Sequence, residues 1–303
     1  MDNYLITWFY AEHKEDESFY PAVGGSSSSE GFQNVYWRCV YDFYMSAFIT
    51  QERELKYLFF TNVEEIPRNV DGIDISAFFK KHGIEVINCD ISYRTPKDWF
   101  FQFRNQFYVY DIINRLKDIK GRHLLLDSDC FFTRDISGIF KRIGEKGAEA
   151  YAVPHGDDFP INGITLNGMR RLYREFCGER GLKELEYLGG EFIALTSDSA
   201  ERVMEEYKKL WEMNYQKYEN GQEKLNEEAH FWSFLFYKLG FGEPEGNSFI
   251  RRIWTAARLD DLRQKDAELA IMHLPAEKKY GFKKMFAYLS ASERTKEEYI
   301  KEL

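Results

Sequence analysis

Cysteine is scarce in this chain: four residues in 303, Cys39, Cys89, Cys130 and Cys177, with no Cys-x-x-Cys pair. That scatter argues against a disulfide framework and predicts buried free thiols in a reducing compartment. Long apolar runs are absent as well; none reaches the roughly 18–20 residues that span a bilayer. Met1–Asp2–Asn3 brings no basic flank, and Glu12, Lys14, Glu15 and Asp16 soon interrupt the apolar start, so no signal peptide is expected. Positive charge is in deficit. A formal charge of −9, from 41 Lys and Arg against 50 Asp and Glu, argues against the broad basic face that nucleic-acid binding needs. No internal repeat or linker marks a second independent unit, so one domain over residues 1–303 with a large core is expected. The Gly/Ser stretch 24–31 reads as a solvated loop. The expected location is the cytoplasm, extending to the inner face of a membrane.

Aromatic side chains are in excess: 26 Phe, 20 Tyr and 6 Trp. Most must be core. Tyr and Trp also suit sugars, because pyranose C–H faces are apolar while the hydroxyls need hydrogen bonds. The composition permits carbohydrate binding and goes no further.

Periodicity organises the first half. Residues 4–9, 57–61, 85–89 and 123–127 are apolar runs of strand length. Between them, 34–50, 73–81 and 98–119 carry helical spacing, the last through Phe103, Phe107, Tyr110, Ile113 and Leu116. The order βαβαβαβ predicts an α/β fold, a mostly parallel sheet flanked by helices. Its fourth strand runs into LLLDSD, residues 124–129. Residues two apart on a strand share a face, so Asp127 and Asp129 are expected to project together from the carboxyl edge of the sheet. Open α/β sheets bind ligands at that edge. Two hard oxygen ligands there suit Mg²⁺ or Mn²⁺ on a diphosphate.

The segment closing on Asp127-x-Asp129, with its lead-in Arg104-Asn105-Gln106-Phe107-Tyr108 and then LLLDSDCFF, resembles the nucleotide-sugar-binding half of GT-A-fold glycosyltransferases. The likeness is to the retaining blood-group-type and glycogenin-like families. It runs in patches over residues 4–280, strongest from 104 to 132. It implies a GT-A-like fold, with residues 1–132 as the nucleotide-sugar half and 133–303 as the acceptor half carrying a C-terminal metal and phosphate segment. Asp127 and Asp129 would hold Mn²⁺ or Mg²⁺ on the donor diphosphate, with Arg104 among the donor contacts. The donor expected is a uridine-based nucleotide sugar.

Further patches extend the resemblance. Residues 187–192 (YLGGEF) match a turn that lies beside the sugars in similar enzymes; two glycines permit close approach, and Glu191 follows them. Residues 226–230 (NEEAH) resemble the acid-Glu-small-His segment of the blood-group type. That match puts Glu228 under the anomeric carbon as nucleophile or cation stabiliser, with Glu227 and His230 on sugar hydroxyls. The alternative is simple capping of a helix N-terminus. Asn226 and Trp232 stand where the family usually has His and Asn, which points to a different sugar specificity. Glycogenin-like enzymes carry a late His-x-x-Gly-x-x-Lys. Here His273 and Lys279 keep the spacing, with Ala276 replacing the glycine. His273 is thus implied as a third metal ligand, and Lys279 as diphosphate partner, or Lys278 with a one-residue shift. Arg251, Arg252 and Trp254 read as a loop closing over phosphate and sugar.

The implied reaction moves a sugar from a nucleotide-diphosphate donor to a saccharide or glycan hydroxyl. Retention through Glu228 is the favoured course; an inverting enzyme would need Glu191 or Asp157 as base. Two other classes stay open. A sugar-phosphate nucleotidyltransferase is opposed by the acidic stretch 10–25, where its phosphate loop would fall. A non-catalytic glycan-binding protein on the same fold is the other. Lys278, Lys279, Lys283 and Lys284 beside Phe282, Met285, Phe286 and Tyr288 allow a weak membrane-surface contact, against a packed element with solvated lysines.

Overall fold

The computed structural model describes residues 1–178, 185–256 and 259–302. Strand β1 (Asn3–Phe9) is followed by α1 (Glu30–Thr50), β2 (Lys56–Thr61), α2 (Ile75–His82), β3 (Ile84–Asn88), α3 (Tyr108–Leu116) and β4 (Arg122–Leu126). The second half adds β5 (Cys130–Phe132), α4 (Ser137–Lys146), β6 (Ala148–Ala152), the hairpin β7 (Pro160–Ile161) and β8 (Ile164–Thr165), α5 (Leu166–Cys177), β9 (Leu188–Thr196), α6 (Ser197–Glu219) and α7 (Glu228–Lys238). The short strands β10 (Ile250–Arg252), β11 (Thr255–Ala256), β12 (Leu259–Asp260) and β13 (Ile271–His273) come next, then α8 (Gly281–Ala291) and α9 (Lys296–Glu302).

The main sheet has the order β3-β2-β1-β4-β9-β6. The first four strands are parallel, as their alternation with helices requires, and β9 runs antiparallel to β4 and β6. Leu5, Ile6, Leu124, Leu125 and Leu126 are all buried, because helices cover both faces of the sheet. The chain builds β1, β2 and β3 outward in one direction and then returns to place β4 on the other side of β1. That reversal opens a crevice at the carboxyl ends of β1 and β4. A second sheet, β10-β13-β5, sits at the same end: β13 is antiparallel to β5 and parallel to β10.

Local chemistry sets the helix limits. Ser29 caps α1 by accepting from the Phe32 amide, so the helix begins inside the Gly/Ser stretch. Asp74 caps α2, and Gly83 at φ 66° ends it in the left-handed conformation that glycine tolerates. The helix expected over 98–119 is shorter than its periodicity: α3 covers only Tyr108–Leu116. Phe103 sits at φ 48°, which no α-helix accommodates. Trp99, in the irregular stretch before α3, stacks on Trp211 at 5.7 Å. Its apolar spacing serves tertiary packing and not a helix face.

On α8, Phe282, Phe286 and Leu289 are buried, with Phe286 against Tyr41 of α1, while Lys283 and Lys284 are exposed. Its apolar side is therefore covered by protein. Among the described residues, no helix is long and apolar enough to cross a membrane. Cys39, Cys89, Cys130 and Cys177 are all free thiols.

Candidate active site

The crevice between β1 and β4 is lined by Trp8, Phe9 and Tyr10 from the end of β1 and by Asp127, Ser128 and Asp129 beyond β4. Glu12, Tyr20, Phe32, Tyr36, Phe103, Gln106, Glu228 and Lys278 complete its wall. Its wall combines aromatic rings with acids.

The two acids come together by a route that strand alternation did not foresee. Strand β4 stops at Leu126, and Asp127–Asp129 form a turn in which the Cys130 amide donates to the Asp127 carbonyl at 3.1 Å. The chain turns there because β5 must pair with β13. That register sets His273 opposite Cys130, and the Leu274 amide donates to the Asp129 carbonyl at 3.1 Å. Asp127, Asp129 and His273 thereby bring one ligand atom each within 4.8 Å of one another.

Asp129 is 1 % exposed and doubly held: His273 Nε2 lies 3.0 Å from its Oδ2, and Lys278 Nζ pairs with the same oxygen. Burial pushes this carboxyl up, but Lys278 and His273 outweigh it and hold it well below the usual range. Asp127 has no such partner, so burial and the neighbouring Asp129 raise it. His273 bridges to a third acid, its Nδ1 lying 3.2 Å from Glu191 Oε1. Burial disfavours the imidazolium, yet Asp129 and Glu191 carry its pKa up to about 9. Arg252, beside His273 in the β10–β13 register, grips Glu191 with two bonds, Nε–Oε1 at 2.9 Å and Nη2–Oε2 at 2.6 Å. Burial again opposes the charge on Glu191, and Arg252 with His273 overrides it, so Glu191 is held ionised.

Glu228 reaches the same crevice from the second half of the chain. It opens α7, but its carboxyl does not cap the helix, and Oε2 has no hydrogen-bond partner among the described residues. Burial first, then Glu227 and Asp127, push Glu228 well above the ordinary carboxylate range. The glycine pair on β9 makes room for both acids. A Cβ on Gly190 would strike Glu228 Oε1, and one on Gly189 would strike Glu191 Oε2. Glu227 does not cap α7 either; it accepts from Tyr187 Oη at 2.9 Å, from Asn162 Nδ2, and lies 3.2 Å from His230 Nε2. His230 is fully buried and also meets the Ile161 carbonyl at 3.2 Å, so it braces Glu227 and the β7–β8 hairpin.

Several expected residues lie elsewhere. Lys279 is exposed, near the Tyr280 ring, and Lys278 points inward in its place; the 3₁₀ turn Pro275–Glu277 shifts the frame by one residue. Asp157 is half exposed and pairs with Arg170 at 3.0 Å, outside the crevice wall. Glu191 takes three hydrogen bonds from Arg252 and His273, of the roughly four a carboxylate accepts, and it does not line the crevice. Arg104 donates to the Glu17 carbonyl at 3.2 Å and ties two loops together. Arg251 pairs with Asp261 and Asp266. Two residues escaped the sequence reading: Glu12, visible only as one acid in an acidic loop, and Arg252 as the partner of Glu191, for which no spacing signal exists.

No protein-family model matches the chain, and no curated protein matches it in sequence. Solved structures do. The galactosyltransferase LgtC in complex with donor and acceptor sugar analogs is 12% identical and covers 99% of this chain and 100% of its own, with a TM-score of 0.51. An active-site mutant of LgtC gives 11% identity over the same spans, also at 0.51. The bifunctional glycosyltransferase WbbM, in its apo form, is 8% identical over 90% of this chain and 45% of its own, at 0.51. At such identities the likeness establishes the fold, and that fold is the GT-A-like α/β arrangement expected from the strand order.

Proposed function

We propose that this chain is a glycosyltransferase that takes a nucleotide-diphosphate sugar, uridine-based, and moves the sugar to a saccharide or glycan hydroxyl with retention. The observation that carries it is the convergence of Asp127, Asp129, Lys278 and Glu228 on one crevice that aromatic rings also wall. Flat apolar walls suit a nucleobase, and a cluster of acids with an inward lysine suits a diphosphate with its counter-ion. The glycosyltransferases that share the fold support the same class.

Two carboxylates and an imidazole within 4.8 Å form a set that Mn²⁺ or Mg²⁺ accepts, so Asp127, Asp129 and His273 are the residues that would hold it. Bound there, a divalent cation supplies charge neutralisation of the leaving diphosphate. Lys278, released from Asp129, offers a second positive charge to the same phosphates. Glu191 orients His273 through Nδ1, and Arg252 keeps Glu191 ionised for that task. Glu228 faces the reacting carbon. Its carboxylate bonds to the anomeric carbon as the sugar–phosphate bond breaks, with the electron pair leaving on the diphosphate. The acceptor hydroxyl then displaces Glu228 and gives its proton to the departed diphosphate, and two displacements yield net retention. Burial is the first cause of the elevated pKa of Glu228; positive charge held beside Asp127 would offset the Asp127 contribution and favour the ionised form.

A screen of nucleotide sugars for Mn²⁺-dependent donor hydrolysis tests this reading without an acceptor. Hydrolysis of at least one uridine-diphosphate sugar, abolished by chelation, is expected. No turnover and no binding across the panel would end the proposal.

A further inference from the structure

Glu12 is buried, 3 % exposed, and among the described residues every hydrogen bond its carboxylate accepts comes from a neutral donor. Its Oε1 accepts from Ser18 Oγ at 2.7 Å, Tyr20 Oη at 2.7 Å and Asn105 Nδ2 at 2.6 Å. Its Oε2 accepts from the Ser18 amide at 2.8 Å and from Ser27 Oγ at 2.5 Å. A buried carboxylate without a paired cation is costly unless its lone pairs are filled. Here five donors fill them, and roughly four acceptor positions exist on a carboxylate. Nothing remains with which Glu12 could bind a ligand directly, although it lines the crevice.

Resting on the nucleotide-sugar reading above, we infer that Glu12 is a positioning residue for the nucleoside end of the donor: it pins the loop after β1 into a roof over the aromatic part of the crevice. Its donors come from two separate loops. Ser18, Tyr20 and Ser27 belong to residues 12–29, and Asn105 belongs to the stretch before α3. The two loops are stitched a second time by Arg104 to the Glu17 carbonyl, by the Phe103 amide to the Phe19 carbonyl at 3.4 Å, and by Arg94–Asp16 at 2.9 Å. The roof residues Tyr20 and Phe103 meet edge to face at 5.4 Å, and Tyr20 also packs on Phe32 and Tyr36. All four rings line the crevice. Phe103 holds a left-handed backbone that a non-glycine residue rarely adopts. That conformation persists because the stitching over-determines it. The interrupted helix before α3 thus has a purpose: its first half becomes one edge of the roof.

The test uses the full chain, with uridine diphosphate and Mn²⁺ as probes in calorimetry. Glu12→Gln places an NH₂ among five donors, which opens the roof while leaving Asp127, Asp129 and His273 untouched. Uridine diphosphate affinity in Mn²⁺ should fall at least tenfold while affinity for Mn²⁺ alone stays within twofold. In donor hydrolysis, KM should rise with kcat little changed. Tyr20→Phe and Ser27→Ala each remove one donor and should weaken nucleotide binding by smaller factors; they carry the test if Glu12→Gln does not fold. Parent-like nucleotide affinity in these variants overturns the inference. So does an equal loss of Mn²⁺ and nucleotide affinity, because the damage would then reach beyond the roof. Failure of the parent itself to bind uridine diphosphate would remove the functional reading, a different result from either.

Discussion

Asp129 carries two partners on a single oxygen, and that crowding makes its charge the most informative one to remove. Asp129→Asn keeps the shape of the turn but cannot balance Lys278 and His273. Mn²⁺-dependent nucleotide binding should fall at least a hundredfold by calorimetry, with circular dichroism unchanged. The lysine pair separates two readings of the C-terminal segment. Lys278→Ala should lower turnover more than tenfold, and Lys279→Ala should match the parent, because only Lys278 faces the acids. Steady-state kinetics of donor hydrolysis checks both. Glu228→Gln retains volume but removes the carboxylate proposed as nucleophile. Turnover should drop by three or more orders of magnitude, on the order expected when an acting nucleophile is lost, with donor binding nearly unchanged. Proton NMR of the new linkage should show the donor's anomeric configuration. An inverted product would exclude the nucleophilic role.

At the scale of elements, β9 and α7 are fitted to each other through the absence of a side chain at Gly190. Gly190 lies in an extended strand whose backbone alanine tolerates, so Gly190→Ala tests space and not conformation. Its new methyl would meet Glu228. The expected outcome is a large loss of turnover with a melting temperature within a few degrees of the parent, measured by hydrolysis assay and thermal denaturation. An unaffected turnover would mean that Glu228 works from another position or not at all. The glycine pair was legible in the sequence as a place of close approach. What approaches it is a carboxylate from residues 38 positions further on, which no local pattern encodes.

At the scale of the whole molecule, the sheet contains a titratable weak point. His123, on β4, is fully buried beside the Tyr4 ring, and among the described residues neither ring nitrogen makes a well-formed hydrogen bond, the Ile119 backbone giving its charged form only minor support. Burial lowers its pKa from 6.5 to about 4. The unfolded chain therefore binds a proton that the folded chain refuses throughout that window, and stability falls as pH drops from 6.5 towards 4. The slope is at most about 1.4 kcal/mol per pH unit and vanishes below the folded value. Urea denaturation at several pH values should show His123→Phe losing less stability than the parent across the window. Equal losses would assign the acid sensitivity to other groups.

Much of this architecture follows from the sequence alone, because strand and helix periods are local: buried strands read as short apolar runs, and their alternation with helices dictates a parallel sheet. The fourth strand and the acids that follow it were legible on that basis, though not the turn that brings those acids together; Glu191 after the glycine pair and the late His273 were singled out through the resemblance. Tertiary structure decided the rest. Lys278 rather than Lys279 turns inward because of a single 3₁₀ turn, and Arg252 meets Glu191 through a strand register 61 residues away. Glu12 becomes the hub of a roof only once two loops, 93 residues apart at Asn105, close on it. Partners for a buried charge are chosen by whichever chain segments folding brings within about 3 Å, and sequence separation places no bound on that choice.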